Sequence, residues 1–330
     1  MSIARQISEC GIPAVSLTGG EPLIRPDFFE IVEALTNEGV CIDQLYTNGV
    51  LLDEEVLRGS EQLGQHPVII ISYGGVGFHD WVRGVPGAER MADRAIWLCK
   101  DAGFAVRCQM RLYRDNSTAL RTTINHLAKL GCDAVRIGVM TDRGNWLANG
   151  RDMTLSPREF FELGLRCIRD YYEDGMPVML ELSNMFAATP DLPDVFWLLP
   201  YQRRRDGDDA LYFSCARRSL QIYPDARPAA YDKIDASFLE LDPIAADDPS
   251  LRTVPLSTLL SSGSAYMDLL DMRCSKALEM GSPCSTCKYY TVCLGGCHAQ
   301  AHEAFGSIYE RDPVACEFWA GGTRRAGAAR

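Results

Sequence analysis

No apolar run in this 330-residue chain approaches the length of a membrane span. The first ten residues, Met1 to Cys10, are mixed polar and lack the apolar segment of a signal peptide. Positive charge is in deficit: 33 Lys and Arg against 44 Asp and Glu leave a formal net charge of −11. Like charge repels phosphate, so no nucleic acid and no membrane surface is expected as a partner. A local basic patch, for instance around Arg203, Arg204 and Arg205, is compatible with that net charge. Histidine is scarce, and His66, His79, His126, His298 and His302 show no shared metal spacing. His298 and His302 stand one turn apart, which reads as capping or packing. There is no GxxxxGK phosphate loop, no GxGxxG after a strand and no internal repeat.

What the chain has in excess is cysteine, 13 in all. Their spread does not suit a disulfide scaffold, which belongs to short secreted chains. The expected compartment is the reducing cytoplasm, where clustered thiols mean metal. Six lie between Cys274 and Cys316, and four of them run Cys284-x2-Cys287-x5-Cys293-x3-Cys297. Short gaps let a tight loop aim several thiolates at one soft metal centre. Softness alone does not separate zinc, which adds folding energy where four cysteines bind it, from iron–sulfur. Cys10, Cys41, Cys99, Cys108, Cys132 and Cys167 stand alone within strand and helix patterns and read as small apolar filler.

From residue 12 to about 183, β-rich runs alternate with amphipathic patterns. The candidate strands are Ala14–Thr18, Gln44–Thr47, Val68–Ser72, Ala105–Leu112, Ala134–Met140 and Val178–Leu182. Most are near-continuous apolar stretches, as parallel strands buried on both faces require. Helical patterns lie near 26–38, 53–63, 88–102, 117–130 and 156–174. The last opens on a capping box, Ser156-Pro157-Arg158-Glu159, and repeats Phe161, Leu165, Ile168 and Tyr172 at helical spacing. Such an order predicts an α/β fold: a parallel sheet curling into a partial (β/α) barrel, over residues 1–185. Residues 186–209, with Pro190, Pro193 and Pro200, read as a connecting segment. A cysteine-rich small domain over 210–320, leaning on bound metal, and a tail over 321–330 complete the expected organisation.

A glycine-rich turn follows the first strand: Thr18-Gly19-Gly20-Glu21-Pro22. Paired glycines at the carboxyl end of a strand let backbone approach a ligand, where α/β folds bind substrates. With Leu23-Ile24-Arg25-Pro26-Asp27 behind it, this turn resembles the GGEP segment of radical S-adenosylmethionine enzymes. Thr47-Asn48-Gly49 and Ser72-Tyr73-Gly74-Gly75 are placed like that family's TNG and S-x-D-G elements, and His79-Asp80 and Arg83-Gly84 continue the likeness. The resemblance implies S-adenosylmethionine near the strand ends. Gly19, Gly20 and Glu21 would hold its methionine amino group, with Pro22 and Asn48 beside them and Ser72 near the cofactor. Gly74 stands where relatives often carry aspartate, so that carboxylate's role does not transfer.

The cysteine run, with Cys316 after it, resembles the second part of the SPASM extension of peptide-modifying members. The resemblance implies an auxiliary [4Fe–4S] cluster on Cys284, Cys287, Cys293 and Cys316. A second site would be left with Cys215 and Cys297, and two or so ligands short. Pro224-Asp225-Ala226 replaces the usual Pro-Asp-Gly, and Tyr231 falls where a further cysteine is expected; Cys274 is an alternative donor.

No CxxxCxxC triplet is present, although such enzymes need one to hold the cluster that cleaves S-adenosylmethionine. The expectation is that the sequence starts late, that Ala14–Thr18 forms an exposed sheet edge, and that the chain as written does not cleave the cofactor. In full-length form the resemblance implies hydrogen abstraction from a peptide or protein by a 5′-deoxyadenosyl radical, with ferredoxin or flavodoxin as reductant. A fragment or degenerate paralogue with a binding or electron-transfer role, and a zinc-stabilised protein, are the other readings. Asp80, Arg111 and Tyr231 are catalytic candidates only by their closeness to the motifs.

Overall fold

The computed structural model describes residues 2–140, 144–183, 185–198, 209, 211–212, 220–229 and 250–320. They divide into two compact units, Ile12–Tyr201, and Met1–Gly11 with Gln202–Arg330.

The first unit is built on one sheet whose strands lie in sequence order. They are β1 (Ala14–Leu17), β2 (Cys41–Thr47), β3 (Val68–Ser72), β4 (Val106–Leu112), β5 (Ala134–Val139), β6 (Met179–Leu182), β7 (Phe186–Ala188) and β8 (Phe196–Leu198). β1 through β6 pair in parallel, while β7 and β8 turn back antiparallel. All six expected strands are present, the second beginning at Cys41 rather than Gln44. The stretch expected to be only a connection supplies β7 and β8 in its described part.

Parallel neighbours in sequence order, joined by right-handed crossovers, put every connecting helix on the same side of the sheet. These helices are α2 (Phe28–Asn37), α3 (Glu54–Gln62), α5 (Ala88–Asp101), α6 (Leu120–Lys129) and α8 (Pro157–Glu173). Val32, Leu57, Ala95, Ile96 and Leu127 are among their buried contributions. Strand β4 shows the resulting asymmetry: Val106, Cys108, Met110 and Leu112 are buried, while Arg107 and Gln109 are half-buried and Arg111 is exposed. Side chains alternate along a strand, so on β4 the apolar residues take one face and Arg107, Gln109 and Arg111 the other. β1 is an edge strand, and none of its residues is fully buried.

Two short helices escaped the sequence pattern, α4 (His79–Arg83) and α7 (Gly144–Asn149), because one or two turns show no periodicity. The capping box of α8 forms as expected: Glu159 N donates to Ser156 Oγ at 3.2 Å and Ser156 N donates to Glu159 Oε2 at 2.8 Å. Its apolar repeat, however, is not the buried face. Phe161, Leu165 and Tyr172 are 39%, 52% and 39% exposed, and Gly164, Cys167 and Tyr171 face inward. Close approach decides this, since a Cβ on Gly164 would stand 2.3 Å from Met185 Sδ.

In the second unit, α1 (Ile3–Glu9) packs with residues from the 250s. The tie is Gln6, 3% exposed, whose Nε2 donates to Leu251 O at 2.7 Å and whose Oε1 accepts from Leu256 N at 2.8 Å. A two-strand hairpin, β9 (Gln221–Ile222) and β10 (Pro228–Ala229), precedes short helices. These are α9 (Leu256–Leu259), α10 (Ala265–Asp271), α11 (Cys274–Glu279), α12 (Tyr290–Cys293), α13 (His298–Phe305) and α14 (Pro313–Ala320). Ala226 in the hairpin turn has φ +72°, the left-handed conformation that a glycine would adopt more cheaply.

Candidate functional site

The loops at the carboxyl ends of β1, β2 and β3 are shaped by their own polar groups. Glu21 is the hub of the first two: its carboxylate accepts from Thr47 Oγ1 at 2.9 Å, from Asn48 N at 2.7 Å and from Leu23 N at 3.3 Å. The last contact caps the short 3-10 turn Pro22–Ile24. Glu21 therefore fixes the first loop to the second, a job that its expected hold on an ammonium group shares with the remaining acceptor capacity of a carboxylate. Asn48 Oδ1 accepts from Val50 N at 2.8 Å, closing the next turn. Gly49, at φ +81°, allows close packing, because a Cβ there would meet Ala95 Cβ at 3.1 Å. No heavy atom stands within 4 Å of the Cβ positions of Gly19 and Gly20, so the backbone of this turn faces open space.

At the end of β3, Gly74 N donates to His79 Nδ1 at 2.7 Å. A Cβ at Gly74 would lie 3.0 Å from His79 Cα, so no aspartate fits this backbone as it stands. His79 is 1% exposed and stacks on Tyr73; burial, with Arg83 adding to it, lowers its pKa to about 4. Asp80, a catalytic candidate by position, is spent on the chain itself. It accepts from Gly87 N at 2.6 Å and Glu89 N at 2.8 Å, and these amides lower its pKa. An aromatic group that the sequence did not announce lies across the next loops. Trp81, Tyr113 and Trp146 have ring centroids 5.1 to 6.5 Å apart.

In the second unit, burial raises the thiol pKa values of Cys284, Cys293 and Cys316, and neighbouring cysteines of the run add to it. Burial pushes Cys293 up to about 12, with smaller contributions from Cys316 and Cys284. Burial also raises Cys316, with Cys284 and Cys287 adding to it. Among the described residues, no three His, Cys, Asp or Glu side chains are already gathered as closely as a single metal ion requires. The donor chemistry nonetheless fits a thiolate-held cluster: four thiols at Cys284, Cys287, Cys293 and Cys316, carried on short elements.

The loop between Cys293 and Cys297 is shaped by backbone. Leu294, Gly295 and Gly296 are successive left-handed residues, at φ +55°, +84° and +76°. A Cβ at Gly296 would lie 2.5 Å from Asp312 Oδ2 and 2.7 Å from Ala315 Cβ, so only glycine allows this approach. Asp312, 4% exposed, joins the two halves of the site. Its Oδ2 accepts from Cys297 N and its Oδ1 from Val314 N, each at 2.8 Å. Sequence reasoning missed this residue; the signal was present as Asp312-Pro313, a cap and first-turn proline at the start of the helix that carries Cys316.

Cys297 packs against a separate cluster of Tyr212, Tyr266, Leu270, Cys274 and Ala277. His298 is buried there, its ring stacked on Tyr212 at 3.6 Å, as the packing reading expected. Cys215, Tyr231 and Arg203 to Arg205 lie outside the described residues. Of the isolated cysteines, Cys99, Cys108, Cys132 and Cys167 are buried as filler, whereas Cys10 is half-buried and Cys41 is exposed.

No family model matches the chain. It is similar to an AdoMet-dependent heme synthase of Methanosarcina barkeri, at 24% identity over 315 residues, covering 93% of this chain and 83% of that protein. It is also similar to a PqqA peptide cyclase of Granulibacter bethesdensis, at 25% identity, covering 95% and 77%. Among solved structures, Streptococcus suis SuiB bound to S-adenosylmethionine superposes with TM-score 0.65 at 14% identity, covering 95% and 68%. Native anSMEcpe with bound AdoMet superposes with TM-score 0.63 at 13% identity, covering 96% and 83%. Relatives that align along nearly the whole chain support the resemblance of its two motif regions, on separate units, to radical S-adenosylmethionine enzymes of the SPASM type.

Proposed function

We propose that this chain forms the cofactor-binding and auxiliary-cluster body of an enzyme that, in full-length form, reductively cleaves S-adenosylmethionine to modify a peptide or protein. The observation that carries the reading is the pairing of two devices in one chain. One is the Glu21-stitched pair of strand-end loops with an open glycine backbone. The other is the closely spaced thiol run Cys284, Cys287, Cys293 and Cys316 on short elements of the second unit. Gly19, Gly20, Glu21, Pro22 and Asn48 line the proposed cofactor end, with Ser72 at the end of β3. The four thiols would hold one [4Fe–4S] cluster, whose chemistry is one-electron transfer. Cys297 and Cys215 would serve a second. A PqqA peptide cyclase among the relatives and a SuiB structure with its precursor peptide SuiA favour a peptide as substrate. The reductant would be a ferredoxin or flavodoxin.

The test is anaerobic reconstitution of this chain with iron and sulfide. Broad absorption near ~400 nm, with iron lost in Cys284→Ser and Cys316→Ser, is the expected result. Stoichiometric zinc with no iron uptake would overturn it in favour of the zinc reading. A second arm measures 5′-deoxyadenosine. The reading expects it from a full-length form that carries CxxxCxxC, and expects none from the chain as written.

A further inference from the structure

Among the described residues of the barrel unit, two side-chain amides are buried, one at either end of the sheet. Gln65, 5% exposed, lies before β3, at the amino end. Its Oε1 accepts from Ile42 N at 2.7 Å, and its Nε2 donates to Thr36 Oγ1 at 2.8 Å and to Val40 O at 3.2 Å. Asn116, 0% exposed, lies beyond β4, at the carboxyl end. Its Oδ1 accepts from Tyr113 N at 2.8 Å, and its Nδ2 donates to Gly74 O and Arg111 O, each at 2.9 Å. In (β/α) barrels the amino end carries stability and the carboxyl end binds ligands. The two amides are thus alike in chemistry and differ in place.

The turn after Ser72, which Asn116 grips, is held from outside along its length. Tyr73 N donates to Gln109 O at 2.8 Å, and Gly74 N to His79 Nδ1 at 2.7 Å. Val76 N donates to Thr123 Oγ1 at 3.0 Å, and Gly77 N to Glu89 Oε2 at 2.8 Å. Thr123, on α6, is 0% exposed. Gly75 bends the turn at φ +103° and packs on the same two side chains. A Cβ there would lie 3.6 Å from Thr123 Oγ1 and 3.7 Å from Asn116 Cβ. An ordinary surface turn leaves such groups to water. Burying a hydroxyl and an amide to hold main chain is costly unless every bond is made, and here the bonds are made. The turn is therefore fixed before any ligand arrives, which lowers the ordering cost of binding. Glu21 does the same for the loops after β1 and β2.

We propose that Asn116 and Thr123 are positioning residues for the cofactor: they fix the turn after Ser72, and through that turn set how well the strand end receives S-adenosylmethionine. This deepens the proposed function and rests on it for the identity of the ligand. Asn116 also holds the backbone of Tyr113, whose ring lies between those of Trp81 and Trp146. One side chain thereby sets the spacing between the cofactor end and the aromatic group.

The test measures binding rather than turnover, by equilibrium dialysis of labelled S-adenosylmethionine against the chain as written and against a full-length form carrying CxxxCxxC. Thr123→Val keeps the shape and removes only the acceptor of Val76 N, whereas Thr123→Ser keeps the acceptor. Displacing a binding group by about 1 Å costs up to about a hundredfold, so Thr123→Val is expected to bind about threefold or more weakly and Asn116→Ala about tenfold or more. Thr123→Ser is expected to match wild type. Gln65→Ala removes the corresponding three bonds at the far end; it is expected to lower thermal stability yet leave affinity within about twofold. Hydrogen exchange of a peptide over residues 72–79 is the second readout, and is expected to rise in Thr123→Val and Asn116→Ala but not in Gln65→Ala. Affinity that falls as much in Gln65→Ala, or that holds while the 72–79 peptide loosens, would overturn the inference and leave both residues a packing role. Should Asn116→Ala fail to fold, the Thr123 pair decides alone. Wild type that binds no S-adenosylmethionine in either form refutes the proposed function, and this inference with it.

Discussion

Replacing Asp312 by alanine removes a side chain that ties the Cys293–Cys297 loop to the helix bearing Cys316. Two amide donors lose their acceptor, Cys297 N and Val314 N. Loss of a helix cap costs about 0.5–2 kcal/mol. Stranding a buried N–H costs about 1–3 kcal/mol. Solvent reaches the site poorly, because Asp312 is 4% exposed, so together the loss is about 2–4 kcal/mol of local stability. That is roughly a thirtyfold to several-hundredfold rise in the local opening equilibrium, at about 1.4 kcal/mol per factor of ten. Native-state hydrogen exchange on peptides covering residues 290–300 and 312–318 reads this directly, without assuming two-state unfolding of a chain with two units. Asp312→Asn keeps one acceptor oxygen and is expected to fall between wild type and alanine. Exchange in these peptides within about threefold of wild type in Asp312→Ala would refute the assigned role, as would equal loosening of the barrel strands.

Gln6→Ala strands Leu251 O and Leu256 N and is expected to destabilise the second unit by about 2–4 kcal/mol; chemical denaturation with a probe in that unit checks it, and a shift confined to the barrel unit speaks against the packing of α1 described above. His79, buried with its pKa lowered to about 4, binds its proton less readily folded than unfolded. Its contribution is therefore complete above about 6.5, the unfolded value, and is lost as pH falls toward about 4. Stability of the barrel unit measured between about pH 7 and 4.5 should fall less steeply in His79→Gln than in wild type, and identical slopes would contradict this.

Much of the barrel unit was legible because parallel strands and their covering helices carry period and composition in short windows. The six strands and the capping box at Ser156 are examples. The α8 stripe was misread for an equally physical reason: periodicity locates an apolar face but not the closest approach, which Gly164 permits and Phe161 would prevent. Asp80 looked chemical beside His79, yet its carboxylate is taken by two amides seven and nine residues on. Gly74, noted in the sequence as a missing aspartate, turns out to be where His79 crowds the backbone.

The amino-acid order by itself determined the local devices: the glycine pair before Glu21, the thiol spacing from Cys284 to Cys316, and the alternation of Arg107, Gln109 and Arg111 on one strand. Those depend only on bonded geometry and short-range preference. Tertiary structure decided which of them meet. Glu21 reaches Thr47 and Asn48 on the neighbouring strand's end, Asp312 reaches Cys297 across a helix and a turn, and Gly138 makes room for a guanidinium from its neighbour strand. Each such meeting depends on packing between residues far apart in the chain, where register and close approach are set, and no window of sequence contains both partners and the space between them.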